Sequence, residues 1–315
     1  MPENTPRPII TVIGSFAVGL TLRAPRFPVA GETLIGSDFD MGPGGKGSNQ
    51  AVGAARLGAA SHLVAVIGAD TFGDVALDLY RREMVGATHV RRTAERHTGV
   101  GFITLNAAGE NHIVLDMGAN HLLSPEDVDA AEDLIAGSDV VLSVLEIAPA
   151  TAARAMALAR RHHVLSILNP APAQALSDDP ISLGKIVAAV DVLTPNESEL
   201  RLLAGLPPDD PTDTLELAHR LQRRGVRQLV VTRGRRGALV IAADGSVHEV
   251  AGVPVNVVDT TGAGDAFTSA LAVALAEKRP LLEAVHFAVV AGALACTRLG
   301  VIPALPSRAE VEVLL

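Results

Sequence analysis

The sequence predicts an α/β fold with a central, mostly parallel sheet, helices on both of its faces, and a small β-sheet beside it. Apolar runs of strand length alternate with helical patterns along most of the 315 residues, as in repeated β–α units. The runs are continuously apolar rather than alternating with polar residues, which indicates strands buried on both faces. Two stretches break this rhythm, at 15–40 and 99–118, and neither fits the centre of a parallel sheet.

The apolar patterns place the elements along the chain. The predicted strands are residues 9–13, 63–67, 140–145, 164–168, 190–194, 228–232 and 238–242. The predicted helices are residues 46–57, 72–84, 125–136, 149–161, 197–203, 215–224, 264–278 and 280–298. We treat residues 1–315 as one domain, because we find no low-complexity linker or internal repeat.

We interpret the two interrupting stretches as strands of a flap. Residues 15–40 mix polar and apolar positions and contain prolines and a glycine, whereas residues 99–118 have a hairpin pattern with a turn at 106–110. The flap is either an edge hairpin without a further role or a lid. We expect a lid, because closure that excludes water is common in transferases.

The composition is typical of a globular protein with a substantial core. Apolar residues make up 48% of the chain, and the net charge is −9 without a lysine- or arginine-rich run, which argues against a nucleic acid partner. No apolar run reaches the roughly 18 residues that span a bilayer, so we expect no membrane association. The first eight residues lack the apolar core of a signal peptide, and Cys296 is the single cysteine. These features favour the cytoplasm.

A glycine-rich turn leading into a helix, at residues 257–267, is the strongest indication of chemistry. The segment reads Val-Val-Asp-Thr-Thr-Gly-Ala-Gly-Asp-Ala-Phe. Such a turn offers free backbone N–H groups and the positive end of the helix dipole, which suit a phosphate. A carboxylate there, Asp265, makes sense if it takes a proton from a hydroxyl that attacks phosphorus. The alternative is an ordinary helix N-cap after a glycine turn.

Polar residues follow several other predicted strands. They are Glu146, Asn169, the run 194–199, the run 232–237 and Asp259. Ligands of parallel α/β sheets bind beyond the carboxyl ends of the strands. Each of these residues alone is explained as a cap or turn former, but together they predict a groove.

A glycine-rich segment at 42–50, Gly-Pro-Gly-Gly-Lys-Gly-Ser-Asn-Gln, precedes an alanine-rich helix. It is not a Walker phosphate loop, because Lys46 is followed by glycine rather than serine or threonine. Its glycines allow the backbone to approach a ligand closely, and Lys46 and Asn49 offer donors for hydroxyl groups. The alternative is a flexible loop before a helix.

Five motifs resemble the ribokinase family of carbohydrate kinases and occur in the family's order. They are Gly-Gly-Lys-Gly-Ser-Asn-Gln at 44–50, Asn-Pro-Ala-Pro-Ala at 169–173, Thr-Pro-Asn-Glu-Ser-Glu at 194–199, Thr-Arg-Gly-Arg-Arg-Gly at 232–237 and Asp-Thr-Thr-Gly-Ala-Gly-Asp at 259–265. The resemblance covers nearly the whole chain. It implies a ribokinase-like fold with a β lid, and transfer of a phosphoryl group from ATP to a primary hydroxyl of a pentose or related sugar. It also implies Mg²⁺, and in ribokinase itself the lids pair into a homodimer.

The resemblance assigns roles to the matching residues. Asp265 is implied to be the general base, with the anion hole formed by the N–H groups around Gly262, Ala263 and Gly264. The implied sugar contacts are Gly45, Lys46, Asn49, Glu146 and Asp265. The implied nucleotide contacts are Asn196, Gly264 and the turn of Thr232, Arg233, Gly234, Arg235, Arg236 and Gly237. The arginines of this turn either screen triphosphate charge or are simply exposed.

Two cation sites are also implied. Asn196 and Glu199 match the motif that organises Mg²⁺, through water molecules as this ion prefers. A monovalent-cation site beside the anion hole is matched by the Asp259 carboxylate and by carbonyls at Thr261, Ala295, Arg298 and Gly300. We therefore expect stimulation by K⁺.

The sequence departs from the family after the first strand. An Asn and an Asp that grip sugar hydroxyls in the family correspond here to Ala17 and Gly19. Since a hydrogen bond to a carboxylate is worth about 1.5–3 kcal/mol, we predict that plain ribose is not the preferred substrate or that its ring hydroxyls are held differently. The small residues leave room for a bulkier sugar or an aglycone. A nucleoside kinase of the same fold is the second hypothesis, and a sugar-binding regulator without catalysis is the third, which the intact Asp265 argues against.

Overall fold

The computed structural model describes residues 6–177 and 179–315. Its strands are β1 (Ile9–Ile13), β2 (Ala17–Arg23), β3 (Ser37–Gly44), β4 (Ala60–Gly68), β5 (Gly86–Thr93), β6 (Gly99–Leu105), β7 (Asn111–Asp116), β8 (Val140–Ser143), β9 (Leu165–Leu168), β10 (Val192–Leu193), β11 (Gln228–Thr232), β12 (Ala238–Ile241) and β13 (Val247–Val250). Its helices are α1 (Lys46–Arg56), α2 (Thr71–Arg82), α3 (Pro125–Asp129), α4 (Glu132–Ala136), α5 (Pro149–Arg161), α6 (Gln174–Ser177), α7 (Pro180–Ala189), α8 (Glu197–Leu203), α9 (Thr214–Arg223), α10 (Ala263–Ala276), α11 (Leu281–Ala295) and α12 (Arg308–Val313).

The larger sheet has nine strands in the order β13-β12-β11-β10-β9-β8-β1-β4-β5. The strands from β11 to β5 pair in parallel, and β12 and β13 are added antiparallel at one edge. Two hydrophobic clusters cover the sheet, one involving α1, α10 and α11 and the other involving α5 and α9. The predicted fold class is thereby confirmed.

Each predicted strand lies on an observed one, and the differences occur at edges and short elements. Strands β5 and β13 were not predicted, because they lie at the two edges of the sheet and mix exposed polar residues with apolar ones. The predicted helix 125–136 is two short helices, α3 and α4. Helix α7 was not predicted because Pro180 and Gly184 read as turn residues; the proline instead occupies the first helical position.

A second sheet of four strands, in the order β3-β2-β6-β7, contains the two predicted flap stretches. Strand β2 pairs antiparallel with β3 and parallel with β6, and β6 forms a hairpin with β7. Strand β3 continues to Gly44, past the predicted limit at 40, and so leads almost directly into α1. The role of this sheet as a lid, and the treatment of the chain as one domain, stay predictions.

Across the two described ranges, none of the helices combines the length and apolar character required of a membrane span. The sequence-based expectation about a signal peptide concerns residues 1–8, of which positions 1–5 lie outside the described residues. The cytoplasmic location stays a prediction.

Candidate active site

The starts of α1 and α10 bring a carboxylate and two amides together. Asp265 lies in the first turn of α10 and is buried, with 5% of its surface exposed. Its Oδ2 accepts a hydrogen bond from Asn49 Nδ2 (2.8 Å), and its Oδ1 accepts one from Gln50 Nε2 (2.9 Å). Two amide donors, one on each oxygen, fix the orientation of the carboxylate.

The turn before α10 leaves its backbone donors open. Gly262 has φ of 81°, and a Cβ atom there would lie 2.6 Å from Val301 Cγ1, so only glycine fits without strain. A Cβ atom at Gly264 would meet nothing within 4 Å, which shows open space on that side of the helix end. Within the described ranges the N–H groups of Gly264 and Asp265 have no carbonyl partner, whereas the Ala263 N–H donates to Thr260 O (3.2 Å). The helix end therefore offers an anion at least two free donors.

Glu146 connects the end of β8 to the start of α1. Its Oε2 accepts hydrogen bonds from Ser15 Oγ (2.5 Å) and from the backbone N–H of Lys46 (2.8 Å). Ser15 Oγ also accepts from the Gly47 N–H at 3.2 Å. These contacts fix the glycine-rich segment over the end of β1.

The Lys46 side chain is surrounded by carboxylates. Burial favours a lower pKa for this amine, but the charges of Asp265, Glu146 and Glu199 outweigh it and raise the pKa of Lys46 overall. Burial raises the pKa of Glu146, against the opposing charge of Lys46. It also raises the pKa of Glu199, against the Asn196 N–H and Lys46. The sugar contacts predicted from the sequence are thus brought into one cluster, together with Glu199.

The predicted nucleotide residues lie beside this cluster. Asn196 and Glu199 cap α8 reciprocally, each accepting a backbone N–H of the other at 2.8 Å. Asn196 also forms a parallel β-bridge with Thr232, which opens the 232–237 turn. The motif at 194–199 and the turn at 232–237 therefore form a continuous rim next to the carboxylates.

Two of the three arginines in the 232–237 turn have protein partners. Arg233 Nη1 contacts Glu249 at 2.9 Å, and Arg236 Nη2 contacts Glu197 at 2.6 Å. Arg235 is exposed. The Arg236 side chain is 59% exposed, so the exposed-arginine interpretation suits it, whereas the Arg233 side chain is only 10% exposed and is held in its ion pair. Because both guanidinium groups are already paired with carboxylates, neither is free to screen triphosphate charge.

The residues predicted for a monovalent cation converge. Asp259 Oδ1 accepts from the Thr261 N–H and hydroxyl (2.9 and 2.7 Å), and Oδ2 accepts from the Gly300 N–H (3.2 Å). In the described part of the chain, the backbone carbonyls of Thr261, Ala295, Arg298 and Gly300 have no hydrogen-bond partner. Unpaired carbonyls next to a carboxylate fit a K⁺ ion. The Arg298 side chain, by contrast, pairs with Glu310.

The carboxylates suit Mg²⁺ only with help from a substrate. Among the described residues no group of three or more His, Cys, Asp or Glu side chains is arranged to hold a metal ion. One carboxylate oxygen of Glu199 accepts a hydrogen bond from the Asn196 N–H. Asn196 Oδ1 accepts hydrogen bonds from the Glu199 N–H and from Ser198 Oγ. Such a site fits an ion that keeps water molecules and binds mainly to phosphate oxygens.

Residues 17 and 19 lie on one face of the small sheet with other small residues. Gly19 pairs with Gly42 on β3 and with Gly101 on β6, and Ala17 pairs with Gly44 and Gly99. Paired residues, and residues two apart, share a face. This glycine face has no side chain larger than a methyl group at these six positions.

Sequence reasoning missed two buried residues. Gln50 contacts Asp265 directly, and Ser15 holds Glu146. Gln50 lies inside the motif at 44–50, so its place next to Asn49 at the start of α1 was the available signal. Ser15 follows β1 in a Gly-Ser pair that gave no chemical signal of its own.

The fold and the site together define a phosphotransferase that acts on a sugar hydroxyl. The sheet, the free N–H groups at the start of α10 and the nearby carboxylate are the parts that phosphoryl transfer requires. The family model described as pfkB family carbohydrate kinase matches residues 8–308. The chain belongs to this family of carbohydrate kinases.

Individual relatives are similar over nearly their full length. The chain is 36% identical to the ribokinase of Haemophilus influenzae over 304 residues, covering 96% of this chain and 97% of the relative. It is 37% identical to the deoxyribokinase of Salmonella typhi over 299 residues, covering 95% of each. The structure of Arabidopsis thaliana ribokinase complexed with ribose and ATP superposes with a TM-score of 0.88, at 28% identity, covering 98% of each chain.

Proposed function

We propose that the protein transfers the γ-phosphoryl group of ATP to a primary hydroxyl of a pentose or related sugar. The relatives named ribokinase and deoxyribokinase support this substrate class. The observation that carries the proposal is the buried Asp265 carboxylate, held by Asn49 and Gln50 beside the open N–H groups of α10. A base and an anion site at one helix end are the arrangement that in-line transfer to a hydroxyl needs.

We assign a separate role to each group of residues in the site. Asp265 accepts the proton of the sugar hydroxyl as its oxygen attacks phosphorus. The open N–H groups of Gly264 and Asp265 and the Lys46 amine stabilise the charge on the transferred group, and one such donor is typically worth about 2.7–4 kcal/mol. Gly45, Asn49 and Glu146 orient the sugar. Thr232, Gly234, Arg235 and Gly237 contact the nucleotide, with Arg233 and Arg236 in supporting ion pairs.

Two cations fit the residues present. When bound to the phosphates, Mg²⁺ neutralises their charge, and Asn196 and Glu199 would hold its water molecules. Asp259 and the unpaired carbonyls of Thr261, Ala295, Arg298 and Gly300 would hold K⁺ beside the start of α10. Both cation assignments rest on the oxygen atoms of these residues.

We infer that the sugar is gripped mainly from the α1 side. The glycine face offers no side-chain donor or acceptor where the family has Asn and Asp, so secondary hydroxyls gain little from it. A pentose with fewer hydroxyls, or one with a larger substituent, then competes well with ribose. The same open face keeps a nucleoside kinase as the alternative function.

We also infer a homodimer through the small sheet. Its other face carries an apolar row across all four strands, with Met41, Leu20, Phe102 and Val114 in register. Val114 is 70% exposed and Phe102 is 57% exposed. Leu20 is half-buried against the core, and the exposed apolar side chains on either side of it, Met41, Phe102 and Val114, are typical of a protein interface. Sedimentation of wild type and Phe102→Asp should give a dimer and a monomer; a monomeric wild type would contradict the inference.

An ATP-consumption screen with Mg²⁺ and K⁺ tests the proposed function. We expect turnover with at least one pentose, and we expect Asp265→Asn to bind that sugar while turnover is lost. Turnover with nucleosides alone would favour the alternative. Sugar binding without any ATP use would favour the non-catalytic regulator. Wild-type turnover in Asp265→Asn would remove Asp265 from the role of base.

A further inference from the structure

Gln50 links the Asp265 carboxylate to the end of a strand on the far side of the site. The Gln50 side chain is fully buried. Its Nε2 donates to Asp265 Oδ1 (2.9 Å) and to Asn169 Oδ1 (3.1 Å). Asn169 Nδ2 in turn donates to Thr194 O (3.0 Å), directly after β10. The result is an unbroken chain of hydrogen bonds from a main-chain carbonyl to the carboxylate.

The acceptors fix the direction of each amide in this chain. The Thr194 carbonyl can only accept, so Asn169 presents Nδ2 to it and Oδ1 to Gln50. Gln50 then faces two acceptors and must present its NH₂ group to both. A flipped Gln50 amide would place its oxygen against two other oxygens. Gln50 therefore has a single favourable orientation.

The arrangement leaves a buried acceptor unused. Gln50 Oε1 has no hydrogen-bond partner within residues 6–177 and 179–315. An unpaired buried carbonyl lowers the stability of the folded protein. The orientation of the Gln50 amide is therefore better explained by its effect on the Asp265 carboxylate than by a contribution to stability. The NH₂ group of Gln50 is committed to the protein on both sides.

Asn49, the neighbouring amide, is free to interact with a ligand. Its Nδ2 donates to Asp265 Oδ2 at 2.8 Å, which uses one of two hydrogens. Its Oδ1 is buried and has no partner in the described part of the chain. Asn49 can therefore bind a sugar hydroxyl and change its contacts, whereas Gln50 has no hydrogen left to offer. The two oxygens of Asp265 are consequently held in different ways.

We propose that Gln50 is a positioning residue that anchors Oδ1 of Asp265 through Asn169 to the end of β10 and leaves Oδ2 to take the proton. This inference rests on the proposed function of Asp265. In the transfer, a bond forms between the sugar oxygen and phosphorus, and the bond from phosphorus to the leaving ADP oxygen breaks. The proton of the hydroxyl moves to Oδ2. Gln50 neither touches the sugar nor exchanges a proton.

The strand that anchors the base also leads to the nucleotide motif. Thr194 directly follows β10, and Asn196, two residues later, is the N-cap of α8. The position of the carboxylate is thereby tied to the segment proposed to organise the metal and phosphates. Substitution of Gln50 should therefore allow the Asp265 carboxylate to move relative to this segment, without removing any substrate contact.

The test compares Gln50→Met with Gln222→Met. Methionine has nearly the shape of glutamine without its donors, and Gln222 Nε2 donates to the Ala242 carbonyl (3.0 Å) in another part of the fold. In Gln50→Met we expect kcat to fall about tenfold or more, with KM for ATP within about twofold. We expect the acid limb of the kcat/KM profile to move to higher pH, because the carboxylate loses a hydrogen-bond donor. Gln222→Met should change neither quantity.

Two further variants keep the test decisive if Gln50→Met is poorly folded. Asn169→Ala retains Gln50 but removes the acceptor that orients it, so the acid limb should shift in the same direction by less. Gln50→Glu places a second carboxyl next to Asp265, so the acid limb should move further than in Gln50→Met. A loss of stability alone would not produce this order.

A measurement that does not depend on turnover distinguishes the positioning role of Gln50 from the proposed role of Asp265 as base. In ¹⁵N–¹H spectra, the Gln50 side-chain NH₂ signals should exchange slowly and shift in Asp265→Asn. If Asp265→Asn abolishes turnover but Gln50→Met keeps the wild-type acid limb and kcat, the positioning role is wrong and the base stands. If Asp265→Asn turns over normally, both proposals are wrong.

Discussion

The phosphoryl end and the sugar end of the site are constructed in different ways. The phosphoryl end consists of the starts of α1 and α10, where Asp265 is buried and held by two amides against the core. On the side proposed for the sugar, the small sheet has a glycine face, whose members Gly19, Gly42 and Gly101 have no side chains. The groups proposed for phosphoryl transfer are thus fixed by core packing, whereas positions 19 and 42, on the face proposed for sugar choice, have room for a side chain.

The largest expected effect comes from adding a methyl group at the phosphoryl end. Gly264→Ala should lower kcat about 100-fold, because the new Cβ occupies the open space at the helix end proposed for the phosphoryl group. Its melting temperature should stay close to wild type, since alanine suits a helix and meets no atom there. Steady-state kinetics and calorimetry measure both quantities.

Gly262→Ala is the matched comparison. Here the added Cβ meets Val301 and the residue keeps φ of 81°, so we expect a loss of about 1–3 kcal/mol in the free energy of unfolding. Full activity in Gly264→Ala would place the phosphoryl group elsewhere.

The sugar end should gain affinity from a carboxylate. A Cβ atom at Gly19 would have only ordinary contacts, 3.6 Å to Ile103 Cδ1 and 3.7 Å to Gly42 O. Gly19→Asp should therefore fold, and it should raise kcat/KM for ribose by about 10–100-fold, the worth of a hydrogen bond to a charged group. Gly42→Asp, on the neighbouring strand, is the control for charge alone. Equal gains in both variants would contradict a specific contact at residue 19.

Potassium should act on the phosphoryl end with a several-fold effect. Replacing K⁺ by tetramethylammonium should lower kcat in the wild type, and Asp259→Ala should make kcat insensitive to the exchange. The reason is that Asp259 holds the Thr261 and Gly300 backbone next to the anion site. An unchanged wild-type rate without K⁺ would refute the cation site.

The smallest effect concerns the pH dependence of stability. Because burial raises the pKa of Glu146, its ionisation opposes folding: stability is lost as pH rises from the unfolded pKa, near 4.5, through the raised folded pKa. Glu146→Gln should lack this loss and melt about 2–4 °C higher than wild type at pH 8, while its KM for sugar rises. Parallel melting curves from pH 4 to 8 for the two proteins would show that Glu146 does not carry this cost.

The sequence predicted the elements that have a strong apolar pattern and missed those that have none. Strand β1 and helices α5 and α8 begin and end as predicted, because turn residues bound them clearly. The edge strands β5 and β13 mix polar and apolar residues and therefore lack a clear strand pattern. They form strands by pairing with neighbouring strands that a local pattern does not identify. Helix α7 was not predicted because Pro180 and Gly184 are typical turn residues, although a proline fits the first turn of a helix.

The site was predictable where a motif marked it and unpredictable where only contacts define it. Lys46, Asn49, Glu146 and Asp265 are brought together as the motifs implied. The hydrogen bonds of Gln50 and Ser15 join segments far apart in the chain, so no local pattern indicates them. The ion pairs of Arg233 and Arg236 likewise depend on Glu249 and Glu197.

The most direct measurement is kcat/KM for ribose, 2-deoxyribose and a nucleoside, in wild type, Asp265→Asn and Gly19→Asp. If the two ends act separately, Asp265→Asn lowers all three values by one common factor, about 10²–10⁴, and leaves their ratios unchanged. Gly19→Asp changes the ratios instead. Wild-type turnover of any of these substrates by Asp265→Asn, or a loss confined to one of them, would contradict the account.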